Sequence, residues 1–151
     1  MKKRNREDKE DRTMAYRDKR REHHYGYVQD IDQLEYSFYG GEIVFVAVLE
    51  LTRVDSTPRF PNSPTPKYLE KILERFNHDA QAEFSKKVAS NLGVEAYIVA
   101  FSEDVKRFWV YNLSKDQGWV ACTAEQYFGW LHKLHCKAIK RKIKEDPSLK
   151  K

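Results

Sequence analysis

The chain has 151 residues, 40% of them hydrophobic and 34% charged, with a net charge of +5. That length suits one domain with its own core, and 13% aromatic residues exclude a chain disordered throughout. No apolar run reaches the roughly 20 residues of a membrane span, the amino terminus is charged without a signal-peptide core, and two cysteines are too few for a disulfide framework. The expectation is a cytoplasmic, reducing setting and no membrane partner.

The charge is unevenly placed. Residues 1 to 22 carry ten Lys or Arg against six acids, residues 133 to 151 carry eight against two, and residues 23 to 132 carry ten against fifteen. Basic ends around an acidic middle suit arms that neutralise phosphate beside an acidic centre. Solvated ends that keep the chain soluble explain the same pattern. The expected division is a basic, charged helix or arm over 1–22, an α/β domain over 23–145 and a basic tail over 146–151.

The first segment, MKKRNREDKEDRTMAYRDKRRE, has neither Gly nor Pro and few apolar residues, which predicts a highly charged helix from about residue 6 to 22. Two runs rich in aromatic and β-branched residues then flank Gly40-Gly41, which predicts a tight hairpin turn. The second run contains IVFVAVL, apolar at both parities, so it predicts a central strand covered on both faces. Counting across a two-residue turn pairs Tyr39 with Glu42 and Asp32 with Leu49, which leaves Asp32 within one residue of Glu50. Four prolines from Pro58 to Pro66 mark a long loop.

From Lys67 to Leu92, residues Leu69, Ile72, Leu73, Phe76, Ala80, Phe84 and Val88 recur at three and four. This predicts one helix with one buried stripe, stopped by Gly93. Ala96 to Phe101 predicts a central strand parallel to the Glu50 strand through a right-handed crossover, and Lys106 to Asn112 an antiparallel return. Thr123 to Gln126 is a capping box that opens a final helix, which Pro147 stops. The order predicts an α/β fold, a mixed sheet of about four strands with helices on its faces.

Two acids converging at the end of an apolar hairpin are the chemical feature of the chain. A carboxylate such as Glu50 is costly to bury without a partner or a metal. Magnesium or manganese suits one or two carboxylates with a backbone carbonyl and retained waters, a set that Asp32, Glu50 and the carbonyl of Leu51 supply. Asp30, two residues from Asp32 and on the same strand face, is a candidate third acid, whereas Glu35 faces the other side in a structural role. The alternative is that Glu50 ends its strand, reaching to water or paired with Arg53, while Asp32 caps a strand.

Asp30-Ile31-Asp32 followed by Val48-Leu49-Glu50-Leu51-Thr52-Arg53 resembles the PD-(D/E)XK nuclease superfamily, in which an Asp opens one strand and E-x-K lies on the next. It is similar in particular to small Holliday-junction-resolvase-like members. The resemblance implies a restriction-endonuclease-like fold and a magnesium-dependent endonuclease, with Asp32 and Glu50 on the metal. It also implies double-stranded or branched DNA as substrate, and cutting both strands favours a homodimer. Thr52 stands where the family has Lys, and a hydroxyl cannot stabilise developing negative charge as an ammonium can. Arg53, Lys71 and Lys86 are the candidate replacements. Gln81 matches a Gln that reaches the site in RecB-type nucleases, although Ser85 stands where that motif has Tyr, and a solvated helix Gln is the plainer reading of the position.

The remaining candidates carry less specific chemistry. Cys122, His132, His135 and Cys136 have zinc-ligating side chains, but paired-Cys knuckles are absent and helix packing explains them better. Arg17, Lys19, Arg20 and Arg21 at one end, with Lys137, Lys140, Arg141 and Lys144 on one helical face at the other, are candidates for sequence-independent contact with the nucleic-acid backbone. Trp119 could stack on a base or pack in the fold. The function expected is DNA hydrolysis, with a catalytically inactive nucleic-acid-binding protein of the same fold as the alternative.

Overall fold

A hairpin is the frame on which the rest of the fold is laid. In the computed structural model, which describes Lys19 and residues 30–54 and 66–149, strands β1 (Gln33–Tyr39) and β2 (Glu42–Val54) pair antiparallel across Gly40-Gly41. Both glycines have positive φ, 59° and 78°, as a tight two-residue hairpin turn requires. Helices α1 (Pro66–His78) and α2 (Gln81–Leu92) then lead to β3 (Glu95–Ser102), which pairs parallel with β2. Strands β4 (Arg107–Asn112) and β5 (Trp119–Thr123) follow antiparallel, and α3 (Ala124–Glu145) and a short 3-10 turn at Pro147–Leu149 complete the described chain. The sheet is five-stranded and mixed, in the order β1-β2-β3-β4-β5.

The sheet separates two cores. Val48, Ile98, Ala100 and Trp109 pack with Leu69, Ile72 and Phe76 of α1 and Ala82 and Ala89 of α2. On the other face Ala47, Leu49, Tyr97, Val99 and Phe108 pack with Tyr127 and Ala138 of α3. Both faces of β2 and β3 are therefore covered, which is why their apolar residues occupy both parities. The Thr123–Gln126 capping box forms in both directions, and Gly93 ends α2 at φ 69°.

Four expectations are corrected. Among the described residues the sheet has five strands, the fifth being the five-residue edge strand WVACT, too short to show an alternation and largely exposed. The helix expected over Lys67 to Leu92 breaks at Ala80, which is left-handed at φ 57°, and restarts at Gln81. The break re-phases the buried stripe: α2 buries Ala82, Ser85 and Ala89, while Phe84 is exposed. The hairpin register slips by one. Tyr36 pairs Phe45 but Glu35 pairs Ala47, so Val46 is an extra, unpaired residue in β2. Val44 and Val46 before the slip and Ala47 and Leu49 after it face the same core, so the bulge reverses the parity of β2. Continued past Gln33–Leu49, the register brings Asp32 level with Glu50 instead of Leu49. Lastly, Asp30 lies outside β1, which begins at Gln33, so it does not share a strand face with Asp32.

Of the helix expected from about residue 6 to 22, Lys19 alone is described, helical and exposed. The rest of that helix, with Arg17, Arg20 and Arg21, and the proline-rich loop lie outside the described residues.

Candidate functional site

Glu50 lies in the longest strand at a position of the parity that faces α1 and α2, and it is fully buried. Burying a carboxylate demands donors, and α2 supplies two from consecutive turns. Gln81 Nε2 donates to Glu50 Oε2 at 2.8 Å, and Ser85 Oγ, itself fully buried, donates to Glu50 Oε1 at 2.5 Å. A four-residue spacing puts both donors on one helix face. The small side chains Ala82, Ser85 and Ala89 form the buried face through which α2 meets the sheet.

Asp32, at the bend before β1, faces the same carboxylate. Its Oδ2 accepts the Leu51 N–H at 2.8 Å, which ties the start of the hairpin to β2 one residue beyond Glu50. The Glu50 carboxyl is held above the usual carboxylate range. Burial is the chief cause, opposed by the Ser85 and Gln81 donors and reinforced by the charge and the hydrogen bond of Asp32.

Thr52 is two residues along the same face of β2. Its Oγ1 accepts from Arg75 Nη2 of α1 at 3.1 Å, and the Arg75 guanidinium lies 5.4 Å from the centre of the Phe76 ring. The cation beside Thr52 is thus Arg75, and none of the three candidates from the sequence: Arg53 is exposed on the strand face opposite Thr52, Lys71 is exposed, and Lys86 pairs with Glu83 at 3.1 Å. No local signal marks Arg75, since its position depends on how a helix beyond a long loop crosses the sheet. The four-residue spacing puts Ser85 on one helix face with Gln81, but the break at Ala80 that turns this face inward has no such signal.

The oxygen donors fit a hard cation. Asp32 and Glu50 offer two carboxylates, and because a strand residue directs its N–H and C=O to the same edge, the Leu51 carbonyl lies on the Asp32 side of β2 with its N–H. Among the described residues no group of three or more His, Cys, Asp or Glu converges, and Asp30 does not complete one.

The other candidates are dispersed. His135 Nε2 hydrogen-bonds Glu35 Oε2 at 2.8 Å and its Nδ1 hydrogen-bonds Ser37 Oγ at 2.6 Å, on the α3 face of the sheet. Gln33 Nε2 also donates to Glu35. His132 contacts Cys136 at 3.6 Å, and Cys122 is half-buried on β5. Trp119 packs against Tyr111, with ring centres 5.3 Å apart, and is half-buried. Lys137 and Arg141 line a cleft beside α3, while Lys140 and Lys144 are exposed on the same helix outside it. No helix among the described residues is long and apolar enough to cross a membrane.

No family model, curated protein or solved structure matches this chain.

Proposed function

We propose that this protein is a metal-dependent endonuclease of PD-(D/E)XK type, with a restriction-endonuclease-like fold, that hydrolyses phosphodiester bonds in double-stranded or branched DNA. The observation that carries the reading is the buried carboxylate of Glu50, facing Asp32 and held by two donors from α2. A purely structural strand gains little from such an arrangement, because an apolar residue of similar size avoids the desolvation cost.

Each residue has a role in this reading. Asp32, Glu50 and the Leu51 carbonyl would hold Mg²⁺ or Mn²⁺, which supplies polarisation of the phosphoryl oxygen and a more acidic bound water. Gln81 and Ser85 fix the Glu50 carboxylate, and Asp32 is fixed by the Leu51 amide. Arg75, anchored on Thr52, brings positive charge to the position where the superfamily has Lys. Basic residues outside the site, among them Lys19, Lys140 and Lys144, contact the DNA backbone, and a homodimer accounts for cleavage of both strands.

The second reading, a nucleic-acid-binding protein of the same fold without catalysis, rests on Thr52 in place of Lys. The deciding experiment is cleavage of linear, nicked and four-way-junction DNA with Mg²⁺ or Mn²⁺, wild type against Glu50→Ala. Metal-dependent cleavage lost in the variant supports the enzyme. Equal cleavage by both removes the site assignment. Salt-sensitive binding that survives chelation, without cleavage, favours the second reading.

A further inference from the structure

We infer that the cleft between α3 and the leading ends of β2 and β3 binds a phosphate ester of nucleotide size, with Lys137 and Arg141 holding the phosphate. The cleft is about 490 Å³, within the roughly 300–1,000 Å³ typical of small-ligand sites. It lies on the face of the sheet opposite Glu50. Val46, at its edge, precedes Glu50 by four residues, roughly 13 Å along a strand. The inference is thus independent of the nuclease reading.

The charges in the cleft are not balanced. Lys115 is held by Glu95 at 3.0 Å, and Glu95 also accepts from Tyr97 Oη at 2.6 Å and Asn112 Nδ2 at 3.0 Å. Together these form a neutral, fixed wall. Lys142, the neighbour of Arg141, is likewise paired, with Glu42 at 2.8 Å. Lys137 and Arg141 have no acidic partner among the described residues, so the described lining of the cleft carries two surplus positive charges.

Their spacing is that of a clasp. Positions four apart on a helix set side chains roughly 5–6 Å from one another at Cβ, a separation over which an ammonium and a guanidinium can share one phosphate group. Between them and the wall, Leu134 and Ala138 give an apolar floor for the organic part of an ester. An adjoining depression of about 260 Å³ shares Gly93, Ala138 and Arg141 with the cleft. A free nucleotide would fill the first cavity alone, whereas a phosphorylated strand end would run past Arg141 toward the second, laying its base against Ile43 and Phe45 with its backbone kept clear of Glu145.

The test is calorimetric titration of the full chain with inorganic phosphate, with adenosine monophosphate, and with one short oligonucleotide carrying either a 5′-phosphate or a 5′-hydroxyl. The expected result is phosphate-dependent binding. Adenosine monophosphate identifies a free nucleotide as ligand, and preference for the 5′-phosphorylated over the 5′-hydroxyl strand identifies a strand end. Lys137→Ala with Arg141→Ala should weaken binding by about ten-fold or more, whereas Lys87→Ala with Lys133→Ala, exposed on α2 and α3 outside the cleft, should not. All four residues are exposed and Ala favours helix, so circular dichroism should be unchanged in both variants. Absence of binding to any phosphorylated probe, or equal loss in the two double variants, overturns the inference.

Discussion

Ser85 and Glu50 are thirty-five residues apart in sequence and both fully buried, and the Ser85 hydroxyl donates to the Glu50 carboxylate at 2.5 Å. Without that donor one oxygen of a buried carboxylate has lost water and gained nothing in return. Ser85→Ala should therefore cost about 1–3 kcal/mol at neutral pH, read by urea unfolding. The deficit should shrink on acidification, because a protonated carboxyl is cheaper to bury. Unchanged stability at neutral pH would mean that the bond contributes nothing.

The raised titration of Glu50 sets the direction of a pH effect. The folded state keeps this proton to higher pH than the unfolded chain does, so the contribution of Glu50 to stability is full below the ordinary carboxylate pKa. It is lost as pH rises through the raised value. Glu50→Gln has no such loss, and the Gln81 amide can turn to present its oxygen. The melting temperature of Glu50→Gln relative to wild type should therefore climb with pH above the ordinary carboxylate range. Mg²⁺ or Mn²⁺ should raise the wild-type melting temperature and leave the variant unmoved. Parallel pH profiles with no response to metal in either protein would count against both the burial and the metal assignments.

The sequence made the hairpin, the central strands and the capping box legible, because each is written in local residues: a Gly pair, a dense apolar run, a Thr three residues before a Gln. Asp32 and Glu50 were legible as a pair for the same reason. The elements that refine the site are not local. Whether Val46 bulges is decided by which residues of β2 the α3 core accepts on its face, and the bulge carries Asp32 from Leu49 to Glu50. The break at Ala80 leaves the apolar spacing of the sequence almost uninterrupted, yet it rotates Ser85 inward and Phe84 outward. Arg75 reaches Thr52 only through the packing of α1 on the sheet.

Glu35 has little water around it and takes its main support from α3, packed on its own face of the sheet. The pair with His135 Nε2 at 2.8 Å leaves the side chains 13% and 23% exposed, and Ser37 fixes the other ring nitrogen. His135→Phe keeps the bulk but leaves Glu35 with Gln33 as its hydrogen-bond partner among the described residues. It should cost about 1–3 kcal/mol. Adding Glu35→Leu to that variant should recover part of the loss, because no carboxylate then remains to be satisfied. A chemical-denaturation cycle of the two single variants and the double measures this coupling, and strict additivity would show that the pair is not coupled.

Arg75 and Thr52 offer a residue exchange that tests the charge at the site. The Thr52 hydroxyl accepts from the Arg75 guanidinium at 3.1 Å, on the strand face that also bears Glu50. Arg75 is exposed, so Arg75→Ala should scarcely change thermal stability. If its charge acts on the phosphoryl oxygens, DNA cleavage by Arg75→Ala should fall by about 10²–10³. Introducing Thr52→Lys into that background returns a cation to the same strand face, now from β2 itself, and cleavage should recover in part while Thr52→Val in the same background should not. Metal binding followed by calorimetry should persist in all of these variants, because none removes Asp32 or Glu50. Cleavage by Arg75→Ala at the wild-type rate would exclude the guanidinium from the reaction, and recovery with Val as complete as with Lys would show that shape, and not charge, is what the position requires.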